Sequence, residues 1–167
     1  MIISRTAEYA LRAVVHLAAG QTESISRNGV SQNNVSQTVE QIAQGTRVPA
    51  GYLSKVLQSL SRAGLIASQR GLGGGFRLVK TPGETSILEV IQAVDPIERI
   101  RTCPLGLDAH GTNLCPLHKR LDDAMAFIEE QFRTTTIAEL LEKPAGRRRT
   151  ARNELCVFPL SPAPRAA

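Results

Sequence analysis

Gly71-Leu72-Gly73-Gly74-Gly75 lies between two short runs, Leu65-Ile66-Ala67-Ser68-Gln69-Arg70 and Phe76-Arg77-Leu78-Val79. Two runs of this kind parted by glycines predict a β-hairpin with a glycine-rich tip. What precedes the hairpin narrows the fold further. Thr38-Val39-Glu40-Gln41 has the form of a capping box, and it opens a short helix through Ile42 and Ala43 that is expected to stop at Gly45. Pro49 stands where the first position of a helix tolerates it, and Leu53, Val56, Leu57 and Leu60 then share one helical face before Gly64. Two helices joined by a short turn and followed at once by a hairpin are in the order of a winged helix-turn-helix.

The flanks add helices. From Arg5 to Ala19 the residues Ala7, Ala10, Leu11, Val14, Leu17 and Ala18 recur at helical spacing, with Ser4 as N-cap and Gly20 as stop. Gly20 to Gln37 is polar and without period, which predicts a long loop. After the turn Thr81-Pro82-Gly83, Ser86-Ile87-Leu88-Glu89 is a second capping box, opening a helix through Val90, Ile91 and Val94. A cysteine-bearing loop over 101–116 leads into a longer helix, Leu117 to Phe132, striped by Leu121, Ala124, Met125 and Ile128. Thr136 to Leu141 predicts a last short helix, and the Pro-, Ala- and Arg-rich stretch from 143 to 167 a disordered tail. The expected fold is therefore mainly α with a small β-hairpin wing. Three regions are expected: 1–82 the winged helix-turn-helix with a polar insertion at 20–37, 83–142 the cysteine-bearing loop and long C-terminal helix, and 143–167 the tail.

A formal charge of +5 over 167 residues points mildly to an anionic partner and decides little alone. No apolar run reaches the roughly 18 residues that a membrane span needs. The opening residues lack a basic segment followed by a long apolar one, so a cytoplasmic setting is expected, in which three cysteines stay reduced.

Chemistry is expected at two places. Outward on the second helix of the pair lie Gly51, Tyr52, Ser54, Lys55, Gln58, Ser59 and Arg62. A recognition helix presents such residues to the major groove, with Ser54 and Gln58 suited to base edges and Tyr52 and Lys55 to the backbone. Arg70 and Arg77 flank the glycine tip as a basic wing would. Polar outward residues also occur on surface helices with no ligand. The glycine cluster fits neither the GxGxxG fingerprint nor a P-loop, which excludes the usual nucleotide sites. The second place is Cys103, Cys115 and His118. Cys-x2-His at a helix start can hand sulfur and imidazole to zinc or to an iron–sulfur centre, and the bland alternative is two packed thiols and a capping histidine. His16 is expected to be a half-buried packing residue, Glu8 and Arg12 a surface ion pair, and Arg147-Arg148-Arg149 solvated. Cys156 has no partner in sequence.

Several of these segments together resemble the Rrf-two (Rrf2) family of bacterial winged-helix regulators. The resemblance rests on Glu8-Tyr9-Ala10-Leu11-Arg12-Ala13, Tyr52-Leu53-Ser54-Lys55-Val56-Leu57, Ala63-Gly64-Leu65-Ile66, Arg70 through Leu78, and Ser86 through Ile91. It spans about residues 1–141 and implies homodimers joined through the long C-terminal helix. Several members bind a [2Fe–2S] cluster at three cysteines before that helix. Cys103 and Cys115 resemble the first and third of these, and His118 the histidine beyond. The middle cysteine is absent, its stretch reading Asp108-Ala109-His110. His110, Asp108 or the partner subunit's Glu8 would then supply the fourth ligand. The loop at 20–37 is longer than the family pattern.

The expectation is thus a cytoplasmic homodimer that binds double-stranded operator DNA and represses, with no membrane contact and no catalytic residues. Its affinity would be modulated at Cys103, Cys115 and His118 by a [2Fe–2S] cluster or by thiol chemistry. A winged helix that docks protein is the rival among binding modules. A small zinc enzyme is the rival among catalysts, and it lacks an evident general base.

Overall fold

The computed structural model describes residues 3–28, 36–71, 73–104 and 113–142. Leu72 at the hairpin tip, Asp108, His110 and everything from 143 onward, including Cys156 and the arginine run, lie outside the described residues.

Helix α1 (Arg5–Asn28) is the spine. Ser4 caps it, its hydroxyl accepting from the Ala7 amide at 3.2 Å. Ala7, Ala10, Ala13, Val14, Leu17 and Ala18 are buried, and small side chains along this stripe let α1 touch several other elements. The helix does not stop at Gly20. It runs to Asn28, and the buried Gln21 reaches the Leu78 carbonyl at 3.4 Å. Of the loop expected over 20–37, the part up to Asn28 is helix instead, and 29–35 lie outside the described residues. A stretch of polar residues carries no apolar period, so periodicity cannot reveal helix there.

Helix α2 (Val39–Thr46) opens on the predicted capping box: Gln41 donates its amide to the Thr38 hydroxyl, and Thr38 donates its own to the Gln41 side chain. It ends at Arg47, which takes the left-handed conformation at φ 57°. Gly45 is thus inside the helix rather than its stop. A Cβ there would collide with the ring of His16, so glycine serves the close approach of α1 and α2. His16 is half-buried, as expected.

Helix α3 (Ala50–Arg62) buries Leu53, Val56, Leu57 and Leu60. Pro49 is its N-cap, one position earlier than expected, and its carbonyl accepts from the Tyr52 and Leu53 amides. Strands β1 (Ile66–Gln69) and β2 (Gly75–Leu78) form the hairpin, with Ile66 opposite Leu78 and Ser68 opposite Phe76. A third partner that no local pattern marks joins them: Gln37 exchanges both backbone hydrogen bonds with Phe76, at 3.0 and 2.8 Å, closing the outer edge of β2.

Helix α4 (Ile87–Gln92) has the predicted Ser86–Glu89 capping box and is shorter than expected, Val94 falling in the turn beyond it. Helix α5 (Pro116–Thr134) opens at Cys115, and α6 (Ile137–Leu141) brings Ile137 into the core formed by α1, α3 and α4. Backbone bonds from Ile87 to Thr135 and from Ile137 to Thr85 tie the two chain segments together. None of the side chains of α5 is buried. Among the described residues no helix is long and apolar enough to cross a membrane.

Candidate nucleic-acid interface and metal centre

The burial stripe of α3 fixes what its other face offers. Gly51, Tyr52, Ser54, Lys55, Gln58 and Arg62 are exposed, while Ser59 is half-buried rather than outward. Tyr52 is exposed yet held: its ring stands edge-on to Tyr9 at 5.5 Å, and its hydroxyl pairs with Thr6 at 3.0 Å. The Ser54 hydroxyl donates to the Ala50 carbonyl at 3.0 Å, leaving its oxygen free to accept. Ser54, Lys55 and Gln58 share one groove with Ser61, Arg62, Ser68 and Phe76, between α3 and the hairpin. Among the described residues that line it, Lys55 and Arg62 carry the charges, so its walls are positive.

Alternation along the strands puts Ser68 and Phe76 on the groove side with buried Leu78, and places Arg77 on the opposite face. Arg70 is exposed at the end of β1 and Arg77 half-buried, so the two wing arginines are not equivalent. Ser61 and Ser68 were missed in the sequence. Only the pairing register brings Ser68 to the helix, and no local pattern carries that information.

The second constellation forms where Cys115 serves as N-cap of α5 with Pro116 at its first position. His118, three residues on, folds back over the same turn. Its Nδ1 lies 3.1 Å from Cys115 Sγ and 3.4 Å from Cys103 Sγ. All three donor atoms lie within 4.8 Å of one another. Cys115 is buried and Cys103 half-buried, both as thiols rather than a disulfide. Glu8 is not in this group: it pairs with Arg12, and that pair is not the surface pair expected, because elements packed on α1 leave only 8% of the Arg12 side chain exposed.

The comparisons with known proteins now bear on this geometry. The family described as Rrf2, iron-dependent transcriptional regulator, matches over residues 3–143. The chain belongs to the Rrf2 family. An HTH-type transcriptional regulator of Aquifex aeolicus is 29% identical over 144 residues, covering 84% of this chain and 92% of that protein. The HTH-type transcriptional regulator IscR of Vibrio atlanticus is 31% identical over 101 residues, 60% of this chain and 58% of its own. Among solved structures, the global cysteine regulator CymR of B. subtilis superposes with a TM-score of 0.63 at 22% identity, covering 83% of this chain and 94% of its own. IscR of T. potens does so with 0.63 at 20%, covering 83% and 85%. These confirm the winged-helix fold, and this Rrf2 chain is a DNA-binding transcription regulator.

Iron–sulfur clusters take thiolates, and imidazole where histidine replaces them. Cys103, Cys115 and His118 are donors of those kinds, gathered closely enough for metal ligation, and they fit thiol chemistry equally. A four-ligand [2Fe–2S] centre needs one donor more than this group supplies.

Proposed function

We propose that this chain acts as a homodimeric repressor whose grip on operator DNA is modulated at Cys103, Cys115 and His118. The carrying observation is the exposed, acid-free face of α3, opening onto a groove shared with the hairpin. Lys55 and Arg62 meet phosphates there, and Ser54 and Gln58 meet base edges in the major groove. Tyr52, braced by Thr6 and Tyr9, sets the backbone register. Arg70 reaches the minor groove from the wing, and Arg77, on the far face, meets phosphate.

Dimerisation is supported by α5. Leu117, Leu121 and Phe127 are 60%, 46% and 66% exposed on a helix with no fully buried side chain, which is costly for a monomer and ordinary for a two-fold interface.

Cys103, Cys115 and His118 would hold an iron–sulfur centre of the [2Fe–2S] type, with a fourth ligand from His110, Asp108 or the partner's Glu8. Such a centre supplies a charge that changes with redox state. His118 offers a neutral imidazole at Nδ1, and the two cysteines offer thiolates. Because Cys115 is the N-cap of α5 and Cys103 lies twelve residues before it, any bond between them ties the chain ahead of the proposed dimer helix to its first turn. A second reading, a metal-free thiol switch, is favoured by the short distance between the two sulfurs, within 4.8 Å.

The test is fluorescence anisotropy with duplexes from the DNA upstream of the chain's own gene. We expect tighter binding than to shuffled duplexes, and a change in that binding when the cysteines are oxidised or loaded with iron and sulfide. Equal affinity for both duplexes would overturn the operator reading.

A further inference from the structure

Between the end of α4 and Cys103 the chain forms no helix or strand, yet its course is fixed at one point. Asp122, on α5, accepts from Arg99 Nε at 2.7 Å, from Arg99 Nη2 at 2.6 Å and from the Ile100 amide at 3.0 Å. Arg99 Nη1 also lies 3.7 Å from Glu129. Among the described residues, these contacts on Asp122 and Glu129 are the polar ties that bind 99 and 100 to α5. The Arg99 guanidinium holds the Asp122 carboxyl below its ordinary range, chiefly through these hydrogen bonds, so it stays ionised and keeps both oxygens as acceptors.

Asp122 stands four residues after His118, on the same helical face and one turn along, about 6 Å by helical rise. Two residues, Arg101 and Thr102, separate the tied Ile100 from Cys103, three steps with a reach of at most about 11 Å. The carboxylate and the imidazole thus receive one chain segment at two successive points. Cys115 and His118 need no such help, since one helix turn holds both. Cys103 is the member of the group that must be delivered.

We propose that Asp122 is the positioning residue of the Cys103–Cys115–His118 site, holding Cys103 against the other two through Arg99 and Ile100. The proposal rests on the reading that these three residues act together as a ligand or thiol site, and does not depend on DNA binding. A bidentate arginine–carboxylate pair with a third, backbone donor has the geometry that makes an ion pair directional rather than a loose surface attraction. Lys119–Asp123 on the same helix gives the contrast: 3.4 Å apart and mostly exposed, it ties nothing but its own helix.

The experiment compares wild type, Asp122→Ala, Arg99→Ala, Asp122→Asn, the one-thiolate reference Cys103→Ala and the control Asp123→Ala. Cobalt(II) alone, added without oxygen, reports thiolate number through its sulfur-to-metal absorbance. Asp122→Ala and Arg99→Ala should lose about ten- to a hundredfold in cobalt affinity, as outer-shell partners do, and fall to the one-thiolate intensity of Cys103→Ala. Asp122→Asn should lie between, and Asp123→Ala should match wild type. In metal-free protein, alkylation by iodoacetamide is mapped separately at Cys103 and Cys115. Asp122→Ala should speed reaction at Cys103 several-fold and leave Cys115 unchanged. If the wild type takes no cobalt, the alkylation ratio alone decides. Equal acceleration at both cysteines would mean general loosening and would overturn the proposal, as would wild-type behaviour of Asp122→Ala. Neither readout uses DNA, so failure to bind operator would overturn the function proposed above and leave this result standing.

Discussion

Gly75 shows how much a single position can carry. Its φ is +154°, and a Cβ there would meet the backbone oxygen of Gln37 at 2.5 Å. Gly75→Ala should destabilise the fold by about 1–3 kcal/mol, the range for backbone strain at an over-determined site, read by urea denaturation. An unchanged midpoint would show that Gln37 yields. In the sequence this glycine is only one of a cluster, and Gly45 looks like a helix stop. The close approaches that require both belong to residues distant in the chain, so local pattern misreads one and under-reads the other. The polar residues of α3 were legible because burial of Leu53, Val56, Leu57 and Leu60 leaves one outward face. On that face Lys55→Ala should weaken binding to all duplexes alike and lower the salt slope by about one unit. Ser54→Ala and Gln58→Ala should each relax preference at particular base pairs, a cost of about 1–3 kcal/mol against the cognate sequence. Anisotropy over a salt series and a panel of single base-pair changes separates the two classes. A sequence-selective loss in Lys55→Ala would reverse the roles.

Among the elements, capping carried most of the legible information. Thr38 and Ser86 each begin a helix where a hydroxyl followed three residues later by Gln or Glu predicted it. What capping cannot reveal is pairing by one residue, as Gln37 makes with β2, or a helix such as α1 that continues on polar residues. Ser86→Ala should cost about 1 kcal/mol, the usual worth of an N-cap. Glu89 belongs to the same box, and the Lys80 ammonium 2.8 Å away holds its carboxyl below the ordinary 4.5, with the Ser86 amide assisting. A group whose folded pKa is depressed adds stability at pH above its unfolded value and loses it as pH falls through the folded one. The contribution of Glu89 should therefore be complete near neutrality and fade below about pH 4.5. Glu89→Gln should be less stable than wild type at pH 7, and the gap should close on acidification. Thermal unfolding from pH 7 to 3 measures it, and a constant gap would remove the ionic part of the account.

For the whole molecule, the decisive element is α5. Its stripe of Leu121, Ala124, Met125 and Ile128 was legible at helical spacing, whereas Phe127, the most exposed of its large apolar side chains, lies off that stripe. Met125 and Ile128 are half-buried within the chain, a distinction that needs the position of the other helices. Light scattering should give about twice the 18.0 kDa chain mass at micromolar concentration, and Leu121→Glu with Phe127→Glu should return it to one. Two such chains would set their α3 helices about 34 Å apart, one turn of DNA. A monomeric wild type would refute this. A helix that leaves Leu117, Leu121 and Phe127 exposed also makes the fold depend on how much of the protein there is. If a second copy covers α5, unfolding releases two chains from one particle, and each tenfold dilution takes about 1.4 kcal/mol from the folded state. The heat-unfolding midpoint should then climb with concentration, and a cell that lets the protein grow scarce would lose its operator occupancy and its folded protein together.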